Sequence, residues 1–158
     1  MRVLSVKQPY ASLLLSGEKR FECRTYSVNG APGLLLLHAS KGIAEVAKAE
    51  TLAAVGGLGP RSEWVRSAII GVIEVTRVFG PDDHPRLTKK DVVMCGGDVW
   101  DHTLWQIGRT WRFRKPIECD GKLNLWTPPP ALKRKITLAL RMARVPVRLE
   151  WIPGYSRS

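Results

Sequence analysis

The chain has 158 residues, which is enough for one ordinary domain built around one hydrophobic core. Its content of 44% hydrophobic and 25% charged residues excludes intrinsically disordered, collagen-like and coiled-coil classes. Lys and Arg number 25 against 14 Asp and Glu, and the formal net charge of +11 makes nucleic acid the expected class of partner. This excess is concentrated in residues 109–158, which carry 12 basic and 3 acidic side chains.

The first 55 residues predict three strands and two helices. Residues 2–6 form a short predicted strand, and residues 8–17 form a helix that Gly17 ends. Apolar and charged residues alternate in 20–24, which is typical of a strand with one buried face. The continuous apolar run 34–40 indicates a strand buried on both faces, and the Ala-rich residues 43–55 predict the second helix.

The rest of the chain predicts three strands and a final basic helix. The β-branched run 68–79 indicates a central strand, and residues 80–98 form a predicted loop with one helical turn near 87–93. Two shorter strands are predicted at 111–114 and 123–126. Residues 131–144 fit both a helical and a strand pattern, but their Ala, Leu, Lys and Arg content favours a basic amphipathic helix.

Strand-like segments outnumber helical ones, and the chain shows neither a βαβ alternation nor a glycine-rich phosphate loop. We therefore expect an α+β fold, a small mixed β-barrel flanked by two or three helices, rather than a doubly wound nucleotide-binding fold.

The cysteines and the N-terminal residues indicate the compartment. Cys23, Cys95 and Cys119 form no closely spaced pair, so we expect free thiols rather than a disulfide or a zinc site. The histidines are scattered, and we expect neither a metal nor another cofactor. Without an apolar secretory signal or a membrane-spanning run, the protein is expected to be cytoplasmic and to have no membrane partner.

Two sequence blocks, LSVKQPYA at residues 4–11 and GEKRFECR at residues 17–24, resemble the ASCH family of the PUA-like β-barrel superfamily. The segments 71–75 and 116–126 fit the same pattern. The resemblance implies a PUA-like barrel with a cleft bordered by helices. It also implies a link to RNA binding or RNA modification, since some members hydrolyse acetylated cytidine or cleave RNA.

The resemblance also divides the chain in two. It covers residues 2–127, so an ASCH domain is predicted over residues 1–127. Residues 128–158 are then a basic C-terminal extension that packs on the domain or trails from it, and its role rests on its own charge.

In the small amidohydrolase members of the family, the glycine–lysine block supplies a catalytic lysine and, three residues later, a threonine nucleophile. Lys19 matches the lysine, but Glu22 occupies the threonine position. A carboxylate cannot replace a hydroxyl that forms an ester-like intermediate without a change of mechanism. If the protein is an enzyme, Lys19 and Glu22 are its candidate catalytic residues.

The two blocks supply the first candidate binding residues, Lys7, Gln8, Lys19, Glu22 and Arg24, which the resemblance brings together beside the cleft. The cations would hold a phosphate, while the Glu22 carboxylate accepts a hydrogen bond from an exocyclic amine or acts as a base. The alternative is a structural ion pair on the surface, because Glu22 and Arg24 share one strand face.

His38, Ser40 and Lys41 lie at the end of the apolar strand, where it reaches the surface, a place where barrels put ligand contacts. They are candidate binding residues, although a lone histidine is more often structural. Further along, tryptophans alternate with arginines, a pattern that suits base stacking with phosphate contact. The candidates in this segment are Trp105 (or Trp100), Arg109, Arg112 and Arg114.

The sequence thus favours a nucleic-acid-binding ASCH module that recognises RNA or a nucleotide, with DNA as an alternative. The second hypothesis is a small hydrolase acting on RNA or on a modified nucleoside such as N4-acetylcytidine. A third, weaker one is a protein-interaction adaptor whose basic extension binds an acidic partner.

Overall fold

The computed structural model describes residues 1–25 and 33–147. Its six strands are β1 (Val3–Gln8), β2 (Phe21–Arg24), β3 (Leu34–Ile43), β4 (Ala68–Phe79), β5 (Thr103–Glu118) and β6 (Leu125–Trp126). Its α-helices are α1 (Tyr10–Ser16), α2 (Val46–Val55), α3 (Lys89–Met94) and α4 (Lys133–Met142). Short 3₁₀ turns cover Arg61–Glu63, Pro81–Asp83 and Pro130–Leu132. Among the described residues, no helix is both long and apolar enough to span a bilayer.

The strands form one mixed sheet in the order β2-β5-β4-β3-β1-β6, in which β1 and β3 are parallel and the other pairs are antiparallel. Three strands separate β2 from β1 in this order, yet the Arg24 side chain of β2 donates a hydrogen bond to the Ser5 carbonyl of β1 at 3.0 Å. The sheet therefore curls towards itself. The expected α+β fold is confirmed, with the strands in a curled half-barrel flanked by helices.

Each face of the sheet is covered by a helix. On one face, Leu14 and Leu15 of α1 pack among the side chains of β3, β4 and β5. On the other, Ile136 and Leu140 of α4, one helical turn apart, pack against Phe113 and its neighbours. Burial of these apolar side chains provides the main stabilisation of the α4 position. Residues 148–158 of the predicted basic extension lie outside the described residues.

Several predicted elements are confirmed and others are corrected. The strand predicted at 68–79 is β4, and the helix predicted at 131–144 is present as α4. The strand predicted at 111–114 is in fact part of the 16-residue β5. Its pairing with β4 shifts register at three places, and such irregularities interrupt the strict alternation by which a strand is recognised. The helix predicted from residue 43 begins at Val46, because β3 continues to Ile43.

The expectation of free thiols is wrong for two of the three cysteines. Cys23 of β2 and Cys95, directly after α3, form a disulfide with their Cα atoms 5.9 Å apart, while Cys119 is free. The two residues are 72 positions apart, so sequence spacing gives no sign of the pair. Only the packing of α3 against β2 brings them together.

Two ion pairs join the same segments. Arg20 donates two hydrogen bonds to the Asp91 carboxylate, at 3.0 and 2.6 Å, and Lys90 pairs with Glu18. Asp91 also forms a capping box with Thr88 at the start of α3. The short helix α3 is therefore held at both its first turn and its end to the residues around β2.

Candidate functional site

A cleft of about 890 Å³ opens between the two ends of the curled sheet. Its walls come from β1, β2, β3, the start of α2, the loop after α3 and the segment 120–124. Three of its lining side chains are acidic: Glu22, Asp98 and Asp120. Six are basic: Lys7, Lys19, Arg24, Lys41, Lys48 and Lys122. Basic side chains thus outnumber acidic ones among the residues that line the cleft.

Lys19 reaches the cleft because the chain turns sharply before β2. Gly17 ends α1 in the left-handed conformation, with φ of 82°, and the Lys19 amide donates to the Leu13 carbonyl at 3.0 Å. Lys19 therefore lies outside the regular strand, whose alternation would otherwise point it away from Glu22. Its side chain is only 2% exposed.

The Glu22 carboxylate lies between two cations in the floor of the cleft. One oxygen, Oε1, is 2.7 Å from Arg24 Nη2, and the other, Oε2, is 3.7 Å from Lys19 Nζ. Glu22 and Arg24 share one face of β2, as their spacing predicts. The carboxylate is 6% exposed, so this ion-pair cluster is buried rather than the surface pair that was the alternative interpretation.

Lys19 has an unusual environment for an amine. Burial lowers its pKa to about 8, and the charge of Arg24 adds to this, while the Glu22 carboxylate acts in the opposite direction. The ammonium lies 5.4 Å from the centre of the Tyr10 ring and 3.5 Å from Cys95 Sγ. Burial, and then the charge of Glu22, raise the pKa of Tyr10. Lys19 can thus exchange a proton near neutral pH.

Three polar atoms of cleft-lining residues have no hydrogen-bond partner among the described residues. They are Arg24 Nε, Ser40 Oγ and His102 Nδ1, all shielded from bulk solvent. Buried polar atoms in folded proteins are normally paired, so a donor and a hydroxyl in this state are suited to an incoming ligand.

His38 lines the cleft, and both of its ring nitrogens have partners within the protein. Its Nε2 is 3.0 Å from the Cys119 carbonyl and its Nδ1 is 3.3 Å from Ser5 Oγ, which also accepts from Trp126 Nε1 at 3.0 Å. The ring is fully buried, and burial lowers its pKa, outweighing the opposite effects of the Cys119 carbonyl and Asp120. A neutral His38 with both ring nitrogens engaged fixes the cleft wall near Cys119.

Five of the twelve predicted binding residues lie outside the cleft. Gln8 is buried, donates to the Val65 carbonyl at 2.7 Å and accepts from the Ser12 amide at 3.1 Å, so it supports the start of α1. Trp105 is fully buried in the core and cannot stack on a base, which corrects that prediction.

The three arginines of β5 also lie away from the cleft. Arg109 pairs with Glu74, with Nε 3.1 Å from Oε2, and its guanidinium lies 5.3 Å from the centre of the Trp111 ring. This pairing lowers the pKa of Glu74 and raises that of Arg109. Arg112 and Arg114 are exposed elsewhere on the strand, and Arg114 borders a groove beside α4.

The structure adds residues that sequence reasoning missed. Tyr10 and Lys122 lie inside the blocks that carried the family resemblance, so the signal for them was present. Lys48 had no such signal, because its place in the cleft depends on how α2 packs. Its amine donates a hydrogen bond to the Gly96 carbonyl at 2.6 Å. Within residues 1–25 and 33–147, no group of three or more His, Cys, Asp or Glu side chains is arranged to hold a metal ion.

The family model for the ASCH domain matches residues 4–112. The chain belongs to the ASCH family. This match contains β1 to β4, three of the helices and the first part of β5, and so includes most of the cleft lining. No curated protein matches the chain in sequence.

Solved structures support the ASCH fold. Two single-substitution variants of ZmASCH from Zymomonas mobilis, one Tyr to Phe and one Ser to Ala, are similar to it with TM-scores of 0.51 and 0.50. Each is 12% identical to this chain and covers 87% of it, while 96% and 94% of the two ZmASCH chains are covered. At this sequence identity the similarity concerns the fold alone.

Proposed function

We propose that this ASCH domain binds RNA or an RNA nucleotide in the cleft. The proposal rests on one shared cleft, which Lys7, Lys19, Arg24 and Lys41 line. Lys19 and Arg24 pair there with the buried Glu22 carboxylate. Cations attract phosphate, and a carboxylate held among them accepts hydrogen bonds from base amines. The PUA-like fold, often linked to RNA binding, supports the same partner.

Each part of the cleft suits one part of a nucleotide. Lys7 and Lys41 are exposed at the rim, where flexible ammonium groups contact phosphates. Inside, Arg24 Nε and Ser40 Oγ are free to bind, and Glu22 Oε2 retains capacity to accept because Lys19 Nζ is 3.7 Å away. The volume of about 890 Å³ is in the range of small-molecule sites. One unpaired nucleotide is the unit that we expect the cleft to hold.

Binding can be tested by fluorescence anisotropy with a short, labelled, single-stranded RNA of mixed sequence at two salt concentrations. The double variant Lys7→Gln/Lys41→Gln should bind the RNA about tenfold more weakly. The slope of log affinity against log salt concentration should also become about two units shallower, since each phosphate contact contributes about one unit to it. The matched control Arg61→Gln/Lys89→Gln removes the same charge from exposed positions outside the cleft and should behave as wild type.

Two outcomes would contradict this proposal. Equal losses in both double variants would show that only net charge matters. A loss confined to a triple Gln variant of Lys133, Arg134 and Lys135 would move binding to the basic face of α4. DNA of the same sequence serves as a further probe, and equal affinity for it would remove the preference for RNA.

Hydrolysis of a modified nucleoside is the second candidate function, and the lowered pKa of Lys19 beside Glu22 favours it. An amine with a pKa of about 8 is suited to act as a general base. The test is incubation with N4-acetylcytidine followed by mass spectrometry. Release of cytidine that Lys19→Ala abolishes would support hydrolysis, while RNA retention without any product would support binding alone.

A further inference from the structure

The Cys23–Cys95 disulfide forms part of the cleft wall rather than of the hydrophobic core. Both cysteines are half-buried and line the cleft, Cys23 from β2 and Cys95 from the end of α3. Their Cα separation of 5.9 Å is ordinary for a disulfide. A small molecule in the cleft is therefore next to the sulfur–sulfur bond.

The two sulfurs differ in their surroundings. Cys95 Sγ lies 3.5 Å from the Lys19 ammonium, whereas among the described residues no basic side chain donates a hydrogen bond to Cys23 Sγ. A nearby ammonium stabilises a thiolate, and the sulfur that leaves as the more stable thiolate is expelled faster in exchange. This asymmetry selects Cys95 as the leaving group and Cys23 as the sulfur that is attacked.

We propose that this disulfide is a thiol–disulfide exchange site for small anionic thiols, with Lys19 stabilising the departing Cys95 thiolate. The inference does not depend on what the cleft binds in its other role. The basic residues around the cleft raise the local concentration of anionic thiols, and the open cleft gives them access to the bond.

The chemistry balances with two equivalents of thiol. A first thiolate attacks Cys23 Sγ, the Cys23–Cys95 bond breaks, and Cys95 leaves as a thiolate beside Lys19. A second thiolate then attacks the external sulfur of the mixed disulfide on Cys23. The products are two protein thiols, after proton uptake, and one oxidised disulfide of the small thiol.

Three small thiols of different charge test the site: 2-mercaptoethanesulfonate, 2-mercaptoethanol and cysteamine. The full-length oxidised protein is mixed with each thiol, quenched by alkylation and analysed by mass spectrometry, with rate constants expressed per thiolate. At low salt the sulfonate should react about tenfold faster than the cationic cysteamine, and high salt should remove most of this difference. Cys119 serves as the internal control for background alkylation.

The position of the first adduct tests the role of Lys19 in the wild-type protein. Trapping early in the reaction should give the thiol adduct on Cys23, with Cys95 alkylated. The Lys19→Gln variant should react about tenfold more slowly with all three thiols, including the neutral one, while Lys19→Arg should stay within about twofold of wild type. Lys7→Gln removes one positive charge from the cleft and should lower the rate with the anionic thiol and raise the rate with the cationic thiol.

Several results would overturn the proposal. Alkylation of all three cysteines before any reductant is added would show that the disulfide does not form. Equal rates for the three thiols at low salt would remove the preference for anions. First adducts on Cys95 would reverse the assignment of the leaving group, and this result can be read in wild type even if Lys19→Gln does not fold.

Discussion

Replacement of Glu22 by Gln tests whether the buried cluster in the cleft floor is held by charge. The change keeps the size of the side chain but removes the negative charge between Arg24 and Lys19, at 2.7 and 3.7 Å. Because Lys19 is 2% exposed and Arg24 is largely covered, both cations would then lie close together with no anion between them. Breaking a buried pair by removing one partner costs about 3–5 kcal/mol, and we expect a loss near the lower limit.

The loss of stability caused by Glu22→Gln should be smaller at high pH than at neutral pH. Burial lowers the pKa of Lys19 to about 8 in the folded protein, so at pH 9.5 this amine is mostly neutral and no longer needs the carboxylate. The free-energy cost of Glu22→Gln should therefore fall by about half between pH 7 and pH 9.5, leaving the contribution of the Arg24 pair. Without Glu22, which raises the pKa of Lys19, this pKa should fall further in the variant.

Urea unfolding at the two pH values, under non-reducing conditions, measures both effects. Glu18→Gln is the matched control, since Glu18 pairs with Lys90 at the surface, where such pairs contribute less than about 1 kcal/mol. Similar losses of stability in the two variants at pH 7 would show that charge does not hold the cluster together. A cost of Glu22→Gln that is the same at pH 9.5 as at pH 7 would show that Lys19 does not contribute to it.

Three further changes test other parts of the structure. Burial alone would raise the pKa of Asp91, but hydrogen bonds from Arg20 and Thr88 hold this pKa at about 2. The ionised Asp91 carboxylate therefore stabilises the fold fully above pH 4, and this stabilisation is lost as the pH falls towards 2. Asp91→Asn should remove about 2 kcal/mol of this acid dependence in denaturant titrations from pH 5 to pH 2; an unchanged slope would contradict the assignment. Gly121→Ala places a Cβ against the His38 ring and should destabilise the protein by about 1–3 kcal/mol, whereas Gly80→Ala, where a Cβ meets open space, should have little effect on the thermal midpoint. Leu140→Ala, at a buried position of α4, should lower the free energy of unfolding in urea by about 2–4 kcal/mol. The control Leu138→Ala, at an exposed position of the same helix, should lower it by less than about 1 kcal/mol. Similar losses in the two variants would mean that α4 is not packed on the sheet.

The sequence alone predicted the parts of this protein that depend on local pattern. The run of β-branched residues that forms β4 and the basic helix α4 were recognised because their patterns extend over ten or more residues. The family was recognised from two short blocks, which also contain Lys7, Lys19, Glu22 and Arg24. For these four residues the sequence predicted a shared site, and the structure places all of them around one cleft.

Tertiary structure decided which side chains are buried and which distant residues meet. Trp105 and Arg109 belong to the same predicted aromatic and basic segment and are four residues apart, which in a regular strand would place them on one face. The register shifts in the pairing of β5 with β4 interrupt this alternation, so Trp105 lies in the core and Arg109 on the surface. Cys23 and Cys95 form a disulfide only because α3 packs beside β2. Lys19 lies beside Glu22 because Gly17 turns the chain out of strand geometry. The local sequence pattern indicates whether a segment is a strand or a helix. Which side chains are buried, and which distant residues pair, depends on how the curled sheet brings separate elements together.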